Sequence, residues 1–267
     1  MKKLLLSSCL LLAALACENP ALQRDGLVEW TFVAPATKAS IDGKGAFSWN
    51  SGDAIAVWNS TGNSFVTFST ASGNGIFSAL APANSSFTGT AFFPAASAVA
   101  ANTISLPDSY SLQQLSDGAG IHMAAAVSDE DRLDFKHLTA YLTVQVSSGT
   151  SATIDRIVVG SDGHSLSGQF AVDGTDGIDI TGGSAAISVS IPTQSAEAFS
   201  FTVPIPVGEY PIRITAGNES TPDMINLHTD AVNFQRARLY KLAPLSSQNS
   251  FSPTCEVYDI TEDNNWE

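Results

Sequence analysis

Leu133-Asp134-Phe135-Lys136-His137-Leu138-Thr139-Ala140-Tyr141-Leu142-Thr143-Val144-Gln145-Val146 is the stretch on which the fold turns. Leu138, Ala140, Leu142, Val144 and Val146 alternate with Thr139, Tyr141, Thr143 and Gln145, the period-two pattern of a β-strand with one buried face. Outward from it, short apolar or alternating runs recur, each closed by turn chemistry. Ala54 to Trp58 ends in Asn59-Ser60-Thr61-Gly62, Phe65 to Phe68 in Ser72-Gly73-Asn74-Gly75, and Thr90 to Phe93 in Pro94. No long run beyond the N-terminus carries the three-and-four spacing of an amphipathic helix. Strands and turns at this spacing predict an all-β sandwich architecture.

The small polar stretch Ser147-Ser148-Gly149-Thr150-Ser151 reads as a linker or long turn. After it a second strand series begins: Ile154 to Val159, Leu166 to Val172, Ala186 to Ile191, Phe199 to Val203, Tyr210 to Thr215 and Arg238 to Leu242. The expectation is two β-sandwich domains in tandem, residues 27–147 and 148–245. Residues 246–267 form an acidic tail holding one spare strand, with Phe251, Cys255 and Val257 in one alternating register.

The N-terminus has its own logic. Lys2 and Lys3 precede an apolar run from Leu4 to Leu15 that falls short of the roughly 18 to 20 residues a membrane span needs, so residues 1–16 are expected to be a signal peptide. Ala14-Leu15-Ala16-Cys17 resembles the lipobox of bacterial lipoproteins, which implies that Cys17 is acylated with diacylglycerol and palmitate and that 17–26 is a lipidated linker. Loss of Lys2 and Lys3 takes the formal charge from −14 to −16. A chain this acidic does not neutralise phosphates, which argues against nucleic acid and anionic lipid headgroups as partners. With Cys9 removed and Cys17 acylated, Cys255 has no mate, and stability must come from hydrophobic cores.

Catalytic and metal motifs are weak. Gly163-His164-Ser165-Leu166-Ser167-Gly168 comes near a nucleophile elbow, but Ser167 displaces the second glycine and the strand-to-helix setting is missing. His122, His137, His164 and His228 lack the close pairing of metal ligands, with His137 expected as a strand residue at a domain edge. Asp173-Gly174-Thr175-Asp176-Gly177-Ile178-Asp179 offers carboxylates for calcium without the spacing or glutamate of an EF-hand, and Asp-Gly pairs are first of all hairpin turns. Gly73-Asn74-Gly75 and Gly43-Lys44-Gly45 lack the third glycine and following helix of a phosphate loop. Neither an enzyme nor a cofactor or metal is therefore expected. Trp30, Trp49 and Trp58 read as core aromatics; an exposed row of them would instead stack on sugars. Trp266, in the acidic tail, is an indole free to dock into a groove.

Several segments together resemble the fimbrillin-like family, the type V pilins and related anchored surface proteins of Gram-negative bacteria. They are Phe47-Ser48-Trp49-Asn50-Ser51-Gly52-Asp53-Ala54-Ile55-Ala56-Val57-Trp58, Gly89-Thr90-Ala91-Phe92-Phe93-Pro94, Leu106-Pro107 followed by Gln113-Gln114, Leu133 to Leu142, and Ala237-Arg238-Leu239-Tyr240-Lys241-Leu242. Their order and spacing carry the resemblance. It implies two transthyretin-like sandwiches, lipid-anchored display on the cell outer membrane or in a fimbrium, and assembly of pilins by strand exchange after a trypsin-like cut. On this sequence the removable strand is Gly26 to Val33, the cut falls between Lys38 and Ala39 or earlier after Arg24, and the donor strand is Phe251 to Ile260. Pro253 there lacks a ladder donor. The alternative is that strand 27–33 stays in place and the tail is unfolded. The expected function is a fimbrial subunit or cell-adhesion protein. Its partners are other subunits or itself, membrane lipid through the acyl anchor, and surface ligands of host or bacteria. The competing reading is a non-catalytic glycan-binding surface lipoprotein.

Overall fold

The computed structural model describes residues 26–34, 49–116, 120–127, 131–148, 154–173, 177–191, 197–221, 224–245 and 256–259. In chain order the strands are β1 (Leu27–Val33), β2 (Ala54–Asn59), β3 (Ser64–Ser69), β4 (Ile76–Pro82), β5 (Phe87–Phe93), β6 (Ala98–Ala100), β7 (Thr103–Leu106) and β8 (Ser109–Ser111). The short helix α1 (Leu112–Ser116) comes next, then β9 (Met123–Ala126), β10 (Lys136–His137), β11 (Ala140–Val146), β12 (Arg156–Gly160), β13 (Ser167–Asp173) and β14 (Gly177–Ser184). The rest are β15 (Ala186–Ser190), β16 (Phe199–Ile205), β17 (Gly208–Gly217), β18 (Ile225–Phe234), β19 (Arg238–Lys241) and β20 (Glu256–Asp259). The fold is all-β, as the alternation and turn chemistry predict.

Four sheets result. The first, in the order β1-β4-β3-β2-β5-β9-β10, is antiparallel throughout. A parallel bridge between Val33 and Arg132 ties its first strand to the segment just before its last, so the sheet closes on itself. Inside lie Phe32, Ile55, Val57, Phe68, Phe77 and Leu133, all fully buried. Its other face, with Phe92 and Ala124, packs on the sheet β14-β13-β7-β6 through Ile104, Leu106, Phe170 and Leu138. The remaining two sheets, β18-β17-β12-β15-β8 and β16-β11-β19-β20, enclose the largest core, of residues such as Val144, Ile157, Val189, Val203 and Ile214.

Local chemistry makes the turns. Asn59 accepts from the backbone N–H of Thr61, Gly62 and Ser86 and donates to Ser85 Oγ at 3.2 Å, so one buried amide closes the β2–β3 hairpin and anchors the approach to β5. Ser111 and Gln114 form a capping box at α1: the Ser111 N–H donates to Gln114 Oε1 at 2.7 Å and the Gln114 N–H to Ser111 Oγ at 3.2 Å.

One expectation needs correction. The strand Leu138 to Val146 is not buried on one face only. Ala140, Leu142, Val144 and Val146 enter the largest core, but Tyr141, on the opposite face, is also fully buried, inside the closed seven-stranded sheet together with Leu239. Hydrogen bonds also run across residue 147. β11 pairs with β16 and β19, β7 with β13, and β8 with β15, so strands before the polar stretch complete sheets built from strands after it.

Candidate functional site

The motif Trp49 to Asp53 sets up the end of the closed sheet where β1 is anchored. The Asp53 carboxylate accepts the Asn50 N–H at 2.6 Å; burial raises its pKa, and the bond to Asn50 acts the other way. The turn so made buries Trp49, which meets Phe77, Phe93 and Phe135 edge-on at 4.9, 5.1 and 5.6 Å. Against the indole lies Gly75, at φ +78°, whose missing Cβ would stand 2.2 Å from the Ala34 carbonyl oxygen. Only glycine fits there. The Ala34 N–H donates to the Gly75 carbonyl at 2.8 Å, fixing the end of β1 to the start of β4.

β1 is an edge strand. It pairs with β4 over its whole length, from Leu27 opposite Pro82 to Val33 opposite Ile76. On its other side, among the described residues, the bonds fall at Val33: its N–H donates to the Asp131 carbonyl, and its carbonyl accepts the Leu133 N–H. Inward, β1 contributes Phe32, 1% exposed, and half-buried Trp30. Phe32 meets Phe68 and Phe87 at 5.0 and 5.7 Å, and Trp30 meets Phe87 at 5.0 Å. Outward, Val33, Ile76 and Leu80 are exposed on the face the two strands share. The exposed ion pair Arg132–Asp134, 2.9 Å long, sits beside the closing bridge and contributes little. β1 is thus bonded along one edge to β4 and plugged into the core by two aromatics.

The second edge is β20. Its register sets Glu256 opposite Lys241, Val257 opposite Tyr240, Tyr258 opposite Leu239 and Asp259 opposite Arg238. These four residues fall within the expected donor strand Phe251 to Ile260, and the structure places them on the chain's own β19. Cys17, Arg24, Lys38, Ala39, Pro253 and Trp266 lie outside the described residues.

The other candidates resolve into structure. Trp49 is core, and Trp58, half-buried, packs on Phe65 at 5.0 Å, so the tryptophans make no exposed row. Asp173 and Gly177 face each other at the closed end of the β13–β14 hairpin, whose loop residues 174–176 are not described. His164 stacks on Tyr210 at 4.6 Å. His137, on the terminal strand β10 of the first sheet, is fully buried and hydrogen-bonded to the Tyr141 hydroxyl. Burial, with Arg236 adding to it, pushes its pKa down to about 3. His122 is as deeply buried, and its pKa is likewise about 3 for the same first reason. Among the described residues no group of three or more His, Cys, Asp or Glu is placed to hold a metal, and no helix is long and apolar enough to cross a membrane.

Closed and layered sheets, largely antiparallel, define the class as an all-β sandwich protein. The fold is shared with a solved structure. A candidate cell adhesion protein from Bacteroides ovatus ATCC 8483 superposes with a TM-score of 0.52 at 13% identity, over 87% of this chain and 98% of its own. A candidate cell adhesion protein from Bacteroides thetaiotaomicron VPI-5482 matches with a TM-score of 0.39 at 13% identity, over 82% and 92%. The tip fimbrial protein Mfa3 from Porphyromonas gingivalis matches with a TM-score of 0.35 at 9% identity, over 87% and 100%. No family model and no curated protein matches the sequence.

Proposed function

We propose that this chain is a surface-anchored fimbrillin-like protein, a structural subunit of fimbriae or a cell-adhesion protein, held in the outer membrane through acylated Cys17 and assembling by β-strand exchange rather than by catalysis. The observation that carries the reading is β1: a seven-residue edge strand, bonded to β4 over its length, that plugs an aromatic core with Trp30 and Phe32. The fold shared with a candidate cell adhesion protein supports it. A cut between Lys38 and Ala39 would free β1, uncover the β4 edge from Ile76 to Pro82, and expose Phe68 and Phe87 to water. Fully reburying a side chain of that size is worth about 1.5 to 3 kcal/mol, and seven residues of ladder come back with it. A strand from a second copy supplies both. The donor, Phe251 to Ile260, must first leave β19, so the cis pairing of β20 holds the unassembled subunit closed.

Trypsin treatment of the purified protein followed by unheated SDS electrophoresis tests this. A ladder of SDS-resistant oligomers, absent from Lys38→Ala and from a chain ending at residue 245, is the expected result. Protein that is cut at Lys38, loses β1 and stays monomeric would overturn it.

A further inference from the structure

We propose that the outer face of β1 and β4 is a lipid-contacting surface, seated on the bilayer that holds the acylated Cys17. The register defines the face: Leu27 lies opposite Pro82, Glu29 opposite Leu80, Thr31 opposite Ser78 and Val33 opposite Ile76. These residues alternate with the inward Trp30, Phe32 and Phe77 and so point away from the aromatic core. Val33 is 47% exposed and Ile76 and Leu80 46% each, Pro82 is exposed and Leu27 half-buried. The sheet β14-β13-β7-β6 covers the outer face of the first sheet at Phe92 and Ala124 and reaches as far as Phe65 on β3; β1 and β4 lie beyond it.

The sequence around this face is free of charge. From Ala54 to Pro107 there is no Asp, Glu, Lys, Arg or His, so β2 to β7 and the turns between them are neutral, in a chain whose 26 acidic and 12 basic residues all lie elsewhere. A protein this acidic is repelled by surfaces of like sign, and a carboxylate pressed against lipid loses its hydration. The neutral side of the first sheet is therefore the side that approaches a membrane at least cost. Among the eight paired residues of the face Glu29 alone is charged, exposed opposite Leu80. It limits the contact to headgroup depth, where a carboxylate keeps its water.

The tether decides what covers the face. Ten residue steps separate Cys17 from Leu27, a reach of about 35 Å at full extension. The Leu27–Pro82 end of the ladder never lies farther than that from the lipid, and a tether of this length makes the contact an intramolecular event for which a weak apolar surface is enough. Stable membrane attachment takes two signals, and an acyl chain with this surface supplies them. The inference rests on the acylation of Cys17 in the function proposed above. A cut at Lys38 that frees β1 removes the anchor and one strand of the face together.

The test uses residues 17–267 with Cys17→Ser and Cys255→Ser, tethered to phosphatidylcholine vesicles through an N-terminal hexahistidine and a nickel-chelating lipid, so that it does not depend on acylation in the cell. An environment-sensitive fluorophore is attached at Leu80→Cys or, as the control, at Asn226→Cys, exposed on β18. On tethering, the Leu80→Cys label is expected to shift to the blue and to be quenched by nitroxide-bearing lipid, and the Asn226→Cys label to do neither. Pro82→Asp is expected to abolish both responses and to leave circular dichroism and melting as in the parent. Equal quenching at the two positions, no response from Leu80→Cys, or a response that survives Pro82→Asp would each overturn the proposal. So would a blue shift without quenching by the lipid, the sign of a second copy covering the face. Mass spectrometry of Cys17 in protein extracted from membranes tests the anchor separately: a free Cys17 overturns the anchor and the seat in the cell with it, whereas an acylated Cys17 beside a negative vesicle result overturns the face alone.

Discussion

At the scale of single residues, buried histidines control how the fold meets acid. His122 and His137 are neutral in the folded chain, with pKa values of about 3, against about 6.5 when unfolded. Below pH 6.5 the unfolded chain takes up protons that the folded chain refuses, so stability falls as the pH drops from 6.5 toward 3 and is unaffected by these groups above 6.5. At pH 5 each histidine is expected to cost about 2 kcal/mol. Urea denaturation at pH 7 and pH 5 checks this: in His122→Gln the difference between the two pH values should shrink by about that amount. Gly75 is the other decisive residue. A Cβ there meets the Ala34 carbonyl at 2.2 Å and the φ is left-handed, so Gly75→Ala is expected to lower stability by about 2 kcal/mol or more and to loosen β1 before the rest. Amide exchange of residues 27–33 that is no faster in Gly75→Ala than in the parent would refute that order of events.

At the scale of elements, β1 and β20 do different work from the strands between them. Phe32→Ala removes the ring that fills the space between Phe68 and Phe87, and a loss of about 3 to 5 kcal/mol is expected, read as a lower denaturation midpoint. For the proposed exchange the same change in a donor-free chain should speed release of β1 after cleavage. The strands that sequence patterning picked out, such as Phe199 to Val203 and Tyr210 to Thr215, are present with ends shifted by a few residues. β18 was not legible. Ile225-Asn226-Leu227-His228-Thr229-Asp230-Ala231-Val232-Asn233-Phe234 packs only Ile225, Leu227 and Phe234 fully, because it lies at the edge of its sheet and turns polar side chains to water. β14 was hidden for a related reason: Asp-Gly and Gly-Gly pairs signal turns, yet here Gly182 and Gly183 lie in a strand beside a shift of register with β13. The cleft lined by Pro94, Ser97, Tyr110, Gln114 and His122 gave no sequence signal, since its residues come from separate elements with no common spacing.

At the scale of the whole molecule, strands from either side of residue 147 share sheets. β11 offers one face to the core between the last two sheets and, through Tyr141, the other to the interior of the first. A fragment ending at residue 147 would keep β11 but lose β16 and β19, its strand partners among the described residues, and with them one side of the apolar face. Such a fragment, residues 17–147, is expected to be unfolded or aggregated by circular dichroism and sedimentation, whereas the parent unfolds in one transition. A soluble, β-rich monomer from residues 17–147 would show instead that the polar stretch 147–151 is a true boundary.

Alternation and turn chemistry by themselves determined that this chain is all-β, that the strongly alternating runs become strands, and that Trp49 and the aromatics near it build a core. Period-two burial and the conformational demands of Asn, Asp and Gly are local properties, so they can be read from residues near one another. Only the tertiary structure decided which strands pair, that the first sheet closes through Val33 and Arg132, and that Tyr141 is buried on the face read as open. Pairing, closure and burial of a second face depend on backbone groups and surfaces brought together from distant parts of the chain, and no local pattern encodes which of several compatible edges will meet.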